Sequence, residues 1–206
     1  MLRWAIFASG GGSNFQALID RREAGDLQVD LALLIGNNSA AFAFERARKH
    51  GVPGLHIAPS RFPDEPSYVA RLLGVLKDHR IDCIALAGYM KKIPGQVVAA
   101  YSNRIVNIHP ALLPAFGGPG LYGEKVHQAV LDSGAKVSGI TIHFVDDVYD
   151  HGPIIFQATV PVLDDDDAHS LAERVLAVEH ASYWKVLAAV SSGRIAVRGR
   201  RVFGNV

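Results

Sequence analysis

The chain has 206 residues, of which 49% are hydrophobic and 20% charged, enough to bury a substantial core in one domain or a domain with an appendage. Lys and Arg total 21 against 20 Asp and Glu, which excludes a general basic attraction to nucleic acid or to an anionic membrane, so an anionic ligand has to be held locally. The single Cys83 excludes an intrachain disulfide and a Cys-based zinc site, and suits a reducing compartment, taken here as the cytoplasm.

The N-terminal run WAIFAS is too short for a signal-peptide core, and no stretch approaches the roughly 20 apolar residues of a membrane helix. RWAIFAS (Arg3 to Ser9) is apolar nearly throughout, as a strand covered on both faces should be. After the glycines, Phe15, Leu18, Ile19 and Arg22 follow the helical period, with apolar residues on one face. VDLALLIG reads as a second strand, and AFAFERARKHG as a helix closed by Gly51. GLHIAP is a third strand, PSYVARLLGVLKDH a third helix, and CIALAGY and RIVNIH are two more strands around a short helix near PGQVVAAY. This alternation predicts an open, mostly parallel α/β sheet with right-handed crossovers.

After His109 the pattern changes. YGEKVHQAVLDSG reads as a helix, and KVSGITIHFV and GPIIFQATVPV are β-rich runs joined by DDVYDHG, which predicts antiparallel or mixed pairing late in the sheet. A long helix follows the acid run Asp164 to Asp167, which is expected to cap it through the dipole and stay hydrated. RIAVRGRRVFG reads as a small terminal hairpin. No internal repeat or linker interrupts the chain.

Three stretches have the residue types that chemistry needs. In SGGGSN, between the first strand and helix, glycines let backbone approach a ligand and the helix N-terminus favours an anion such as phosphate. Gly12, Ser13 and Asn14 are the expected contacts. Phe15 replaces the third glycine of a dinucleotide fingerprint, and no Gly-Lys-Ser/Thr is present; a tight turn with a Ser or Asn cap is the structural alternative.

In RIVNIHPALLP, side chains two apart on a strand share a face, so Asn107 and His109 point together while Ile108 packs on the other side. Pro110 cannot continue a central ladder, which places His109 at the carboxyl end of its strand, where open α/β sheets bind ligands. An amide beside an imidazole can stabilise a carbonyl oxygen that becomes an oxyanion. In VDDVYDHGPII, Asp150 sits in a Gly-Pro turn and is expected to keep an imidazole protonated; Asp146, Asp147 and His151 compete for that role. His143, on the preceding strand, is either a second polar group at the site or a satisfied core histidine. The nine His show no convincing metal-ligand spacing and no Gly-x-Ser-x-Gly elbow occurs.

Taken together, ASGGGSNFQALID, NNSAAFAFERARKHGVP, LAGYMKKI, NIHPALLPAF, HFVDDVYDHGPIIFQATVPV and ERVLAVEHASYWKVL resemble the folate-dependent phosphoribosylglycinamide formyltransferases. The resemblance implies one formyltransferase domain over 1–206, with 1–109 as the nucleotide-phosphate-binding half and 110–206 completing the catalytic and folate site. It implies a catalytic triad of Asn107, His109 and Asp150, and a ribonucleotide-phosphate loop at Gly12, Ser13 and Asn14. Glu179 would contact the ribonucleotide. Met90, Lys91, Lys92 and Ile93, with Asn107, would bind the cosubstrate 10-formyltetrahydrofolate. It implies small-molecule substrates, no metal, no nucleic-acid or membrane partner, and a monomer or homodimer.

The chain departs from the family pattern in places. Ala111 stands where many relatives have Ser, Lys91 where Arg is frequent, and Glu65 near a folate-contacting Arg that Arg61 would have to replace. The Phe116 to His127 loop is longer than in some relatives, and Tyr122, Lys125 or His127 are candidates to close over the site. The alternatives are a formyltetrahydrofolate hydrolase, in which water replaces the amine, and a binding module of the same fold without catalysis.

Overall fold

The computed structural model describes all 206 residues and contains two compact units, Met1–Val106 and Asn107–Val206. In the first unit, β1 (Arg3–Ala8) pairs in parallel with β2 (Asp30–Gly36) on one side and β4 (Cys83–Leu86) on the other, and β3 (Gly54–His56) lies beyond β2. Parallel neighbours need long crossovers. These are α1 (Ser13–Glu23), α2 (Ala43–Lys49) and α3 (Glu65–Asp78), and α4 (Gly95–Ala100) follows β4. Ala5 to Ala8 and Leu33 to Ile35 are fully buried, which explains why these strands carry unbroken apolar runs instead of an alternation.

Because β2 and β4 flank β1 on opposite sides, the carboxyl ends of β1 and β4 form a topological switch point, the place where such sheets hold ligands. Ile84 N donates to Arg104 O, so β5 (Ile105–His109) begins beside β4. Its last three residues, Asn107 to His109, belong to the second unit.

In the second unit, α5 (Glu124–Asp132) precedes β6 (Val137–Phe144), which pairs antiparallel with β7 (Ile154–Pro161). The 24-residue α6 (Ala168–Ser191) packs on β6, β7 and α5. The chain ends in the antiparallel hairpin of β8 (Ile195–Arg198) and β9 (Arg201–Gly204), with β9 meeting β7 in parallel at Ile154↔Arg201. The expected late change to mixed pairing is therefore present.

The acid run caps the helix and stays exposed at Asp164, Asp165 and Asp167, as expected, with one exception. Asp167 is the N-cap of α6 in a reciprocal capping box with Ser170. Asp166, however, has a side chain only 2% exposed and takes a two-pronged contact from Arg174 at 2.7 and 2.8 Å. Lys91 and Lys92 are exposed, whereas Ile93 is buried.

Candidate active site

At the switch point of the first unit, Gly12 is the N-cap of α1 in the left-handed region (φ 70), and no side chain caps the helix. A Cβ on Gly12 would stand 2.8 Å from the Cβ of Ala43, so both conformation and space require glycine. Gly10 and Gly11 face open space. Arg46 donates to Gly11 O at 2.8 Å and to Gln16 Oε1 at 3.0 Å, holding the loop from α2. The Ser or Asn cap that would make this a mere turn is not formed.

Ser9 joins this loop to the segment after β4. Its hydroxyl donates to Asn37 Oδ1 (2.5 Å) and accepts from Met90 N (2.7 Å), and Ser9 N donates to Gly88 O. Sequence reasoning missed Ser9 because a serine before a glycine loop is unremarkable until its partners are known. A cavity of about 550 Å³ follows, lined in part by Phe62, Tyr68, Lys92, Ile93, Asp64 and Glu65. Glu65 is thus a wall of this cavity. Arg61 instead lies 3.2 Å from His56 Nδ1.

In the second unit the structure brings Asn107, His109, His143 and Asp150 together. His109 is 4% exposed; its Nε2 donates to Phe116 O at 2.8 Å, and its Nδ1 stands 3.7 Å from Asp150 Oδ2. Asp150 has φ 51, a left-handed conformation that Asp tolerates better than most residues, and it accepts from Gly118 N at 2.9 Å. Gly152 is required two residues later, since a Cβ there would collide with Phe144 O.

The other turn candidates lie elsewhere. Asp146 bonds Val148 N and His151 Nδ1, His151 is exposed and touches Arg200, and Asp147 is exposed.

His143 is buried and belongs to the site. Its Nδ1 lies 2.7 Å from Phe144 O, an acceptor only, so Nδ1 carries the proton. In the neutral ring Nε2 is then a lone pair that accepts from Asn107 Nδ2 at 3.1 Å, and in the charged ring its N–H faces Asp150 Oδ1 at 3.7 Å. The neutral ring fixes the orientation of the Asn107 amide, whose Nδ2 also stands 3.5 Å from Asp150 Oδ1.

The expected effect of Asp150 on His109 is present but outweighed. Burial lowers the His109 pKa below the ordinary imidazole value, against the raising pull of Asp150 and of the Phe116 carbonyl. Asp150 is itself held below the usual carboxylate range by His143, His109 and Gly118 N–H, against a desolvation that is the largest single influence and acts upward. Of the loop candidates, Tyr122 and Lys125 stack on each other in the open, whereas His127 turns inward and is 4% exposed. Glu179 is buried on the inner face of α6.

An amide, two imidazoles and a carboxylate at a strand end, with no serine or cysteine nucleophile among them, are the groups that acid–base group transfer on an open α/β sheet requires. The Formyl transferase family model matches residues 2–187. The chain is 46% identical over 195 residues to the chloroplastic phosphoribosylglycinamide formyltransferase of Arabidopsis thaliana, covering 94% of this chain and 67% of that one. It is 35% identical to the phosphoribosylglycinamide formyltransferase of Bacillus subtilis, covering 91% and 93%. The crystal structure of glycinamide ribonucleotide transformylase 1 from Symbiobacterium toebii superposes with a TM-score of 0.94 at 40% identity, covering 100% of this chain and 95% of that one. The chain belongs to the formyl transferase family, in its phosphoribosylglycinamide formyltransferase branch.

Proposed function

We propose that Asn107, His109 and Asp150 carry out formyl transfer from 10-formyltetrahydrofolate to the amine of glycinamide ribonucleotide, the reaction of this branch in de novo purine synthesis. The observation that carries the assignment is the joint placement of the His109 imidazole and the Asn107 amide beside one carboxylate. The amine attacks the formyl carbon, the C–O π pair moves onto the formyl oxygen, and that oxyanion is stabilised by the Asn107 N–H that faces Asp150 at only 3.5 Å and by the Nδ1–H of protonated His109, whose Nε2–H is held by Phe116 O. Collapse expels the folate nitrogen, which takes up a proton, while the former amine loses one. Asp150 partly offsets the desolvation of His109 and so favours its protonated form. His143 serves this reading by holding the Asn107 amide in one orientation.

In the same reading the loop Gly12, Ser13 and Asn14 holds the ribonucleotide phosphate through backbone N–H groups. Met90 to Ile93 and the cavity beside Lys92 hold the folate, and Glu179 contacts the ribonucleotide. No step calls for a metal. The buried Cys83, whose thiol is pushed up to about 12 chiefly by burial, suits the proposed cytoplasmic setting. No helix is long and apolar enough to cross a membrane. The active form is a monomer or homodimer.

The test follows folate product release from 10-formyltetrahydrofolate spectrophotometrically, with and without glycinamide ribonucleotide, for wild type and His109→Ala. Release that requires the ribonucleotide and drops by roughly 100-fold or more in the variant is expected. Equally fast release without ribonucleotide would identify a hydrolase, and no release in wild type would identify a binding module.

A further inference from the structure

We propose that Thr141 is a positioning residue for formyl transfer: with Gln157 it clamps the segment Ala111–Leu113 and thereby holds His109 and the loop groups that touch it. The inference rests on the reading of His109 as the catalytic imidazole. After Pro110 the chain leaves β5, and by Gly118 it has returned to the triad. Phe116 O accepts from His109 Nε2 and Gly118 N donates to Asp150 Oδ2. The segment is therefore attached to the triad at both ends, and the placement of its middle sets both contacts.

That middle has no strand partner, yet Ala111 is fully buried and Leu113 is 5% exposed, so their backbone groups need side-chain partners. Thr141, fully buried on β6, provides them. Its hydroxyl donates to Ala111 O at 2.7 Å and accepts from Leu113 N at 2.9 Å. Gln157, its cross-strand partner on β7, donates from Nε2 to Leu113 O at 2.9 Å and to Thr141 Oγ1 at 3.0 Å.

The hydrogen-bond directions allow one arrangement. Ala111 O can only accept, so it takes the single hydroxyl proton, and the two lone pairs of Oγ1 are left for the N–H groups of Leu113 and Gln157. Leu113 O can only accept as well, which orients the Gln157 amide.

Packing reinforces the clamp. A Cβ on Gly139 would stand 2.9 Å from Leu112 Cδ2, and one on Gly117 would stand 2.5 Å from Leu113 Cδ2 and 3.1 Å from Asp150 Cβ. Both leucines thus seat against bare backbone, one of them beside the catalytic carboxylate. Side chains of Thr141 and His143 leave β6 on the same face, so a single strand braces the loop with one residue and Asn107 with the other.

Steady-state assays of the full chain with both substrates test this. Thr141→Val keeps the shape and leaves Ala111 O and Leu113 N unpaired; kcat is expected to fall by roughly 10- to 100-fold while KM for the ribonucleotide changes less than about threefold. Thr141→Ser keeps the hydroxyl and should restore kcat to within about threefold of wild type. Wild-type kcat in the Val variant, or a Ser variant as slow as the Val variant, overturns the proposal.

Should the Val variant not fold, Gln157→Leu at the exposed end of the clamp decides. A fall in kcat of at least about threefold supports the clamp and an unchanged kcat overturns it. His109→Ala is assayed alongside. Full activity there removes the reading on which the clamp rests, whereas loss there with unchanged kcat in Thr141→Val removes the clamp alone.

Discussion

The His109 imidazole is under opposing influences: burial favours its neutral form, and the Asp150 carboxylate 3.7 Å away favours the charged one. Burial prevails, so we expect its NMR titration midpoint in wild type to lie below about 6.5, the ordinary imidazole value. Asp150→Asn removes the raising charge and should move that midpoint further down; a midpoint that stays or rises would contradict the assigned balance. The pairing of Asn107 with His109 was legible in the sequence, because strand alternation and a following proline are local facts. Which turn carboxylate faces the imidazole was left open by turn chemistry and was assigned to Asp150 only through the family resemblance. Asp146, Asp147 and Asp150 are equally acceptable turn residues, and the choice depends on the left-handed backbone of Asp150 and the N–H of Gly118. The tautomer of His143 was likewise hidden, since it is set by where the Phe144 carbonyl points.

Among the elements, α6 shows how far local signals reach. An acid run before an apolar-periodic stretch announces a helix start, and Asp167 does cap it. Asp167→Ala should lower the urea-denaturation midpoint, because it frees an N–H of the first turn. Retention of wild-type stability would assign the start of the helix to Asp166 and Arg174 instead. That second pair was not foreseen: its burial depends on Arg174, two turns into the helix, folding back onto Asp166 and the Pro161 carbonyl. At α1 the reverse holds. Ser13 and Asn14 look like caps in the sequence, but the N-cap is Gly12, which α2 forces into place through Ala43.

For the folded chain the buried histidines set a pH dependence. His109 and His127 are both held below the ordinary imidazole value, His127 by burial first and by His109 second, against Glu124. A lowered folded pKa means that the unfolded chain binds more protons in this range, so stability is complete above about 6.5 and is lost as pH falls toward the folded values. Melting temperature should therefore drop between pH 7 and pH 5, and the drop should be shallower in His127→Gln. A flat profile would show that these imidazoles take up protons in the fold as they do in the unfolded chain, against the assigned lowering.

The sequence by itself determined the chain order of strands and helices, the glycine loop, the Asn, His and Asp of the candidate site and the family, because hydrophobic period, Gly and Pro signals and contiguous motifs are all short-range. Tertiary structure alone decided which hydrogen bonds hold the site: Gly118 N–H with Asp150, His143 with Asn107, Thr141 with the Ala111–Leu113 backbone. Hydrogen-bond direction and desolvation depend on atoms that the fold brings together from distant parts of the chain.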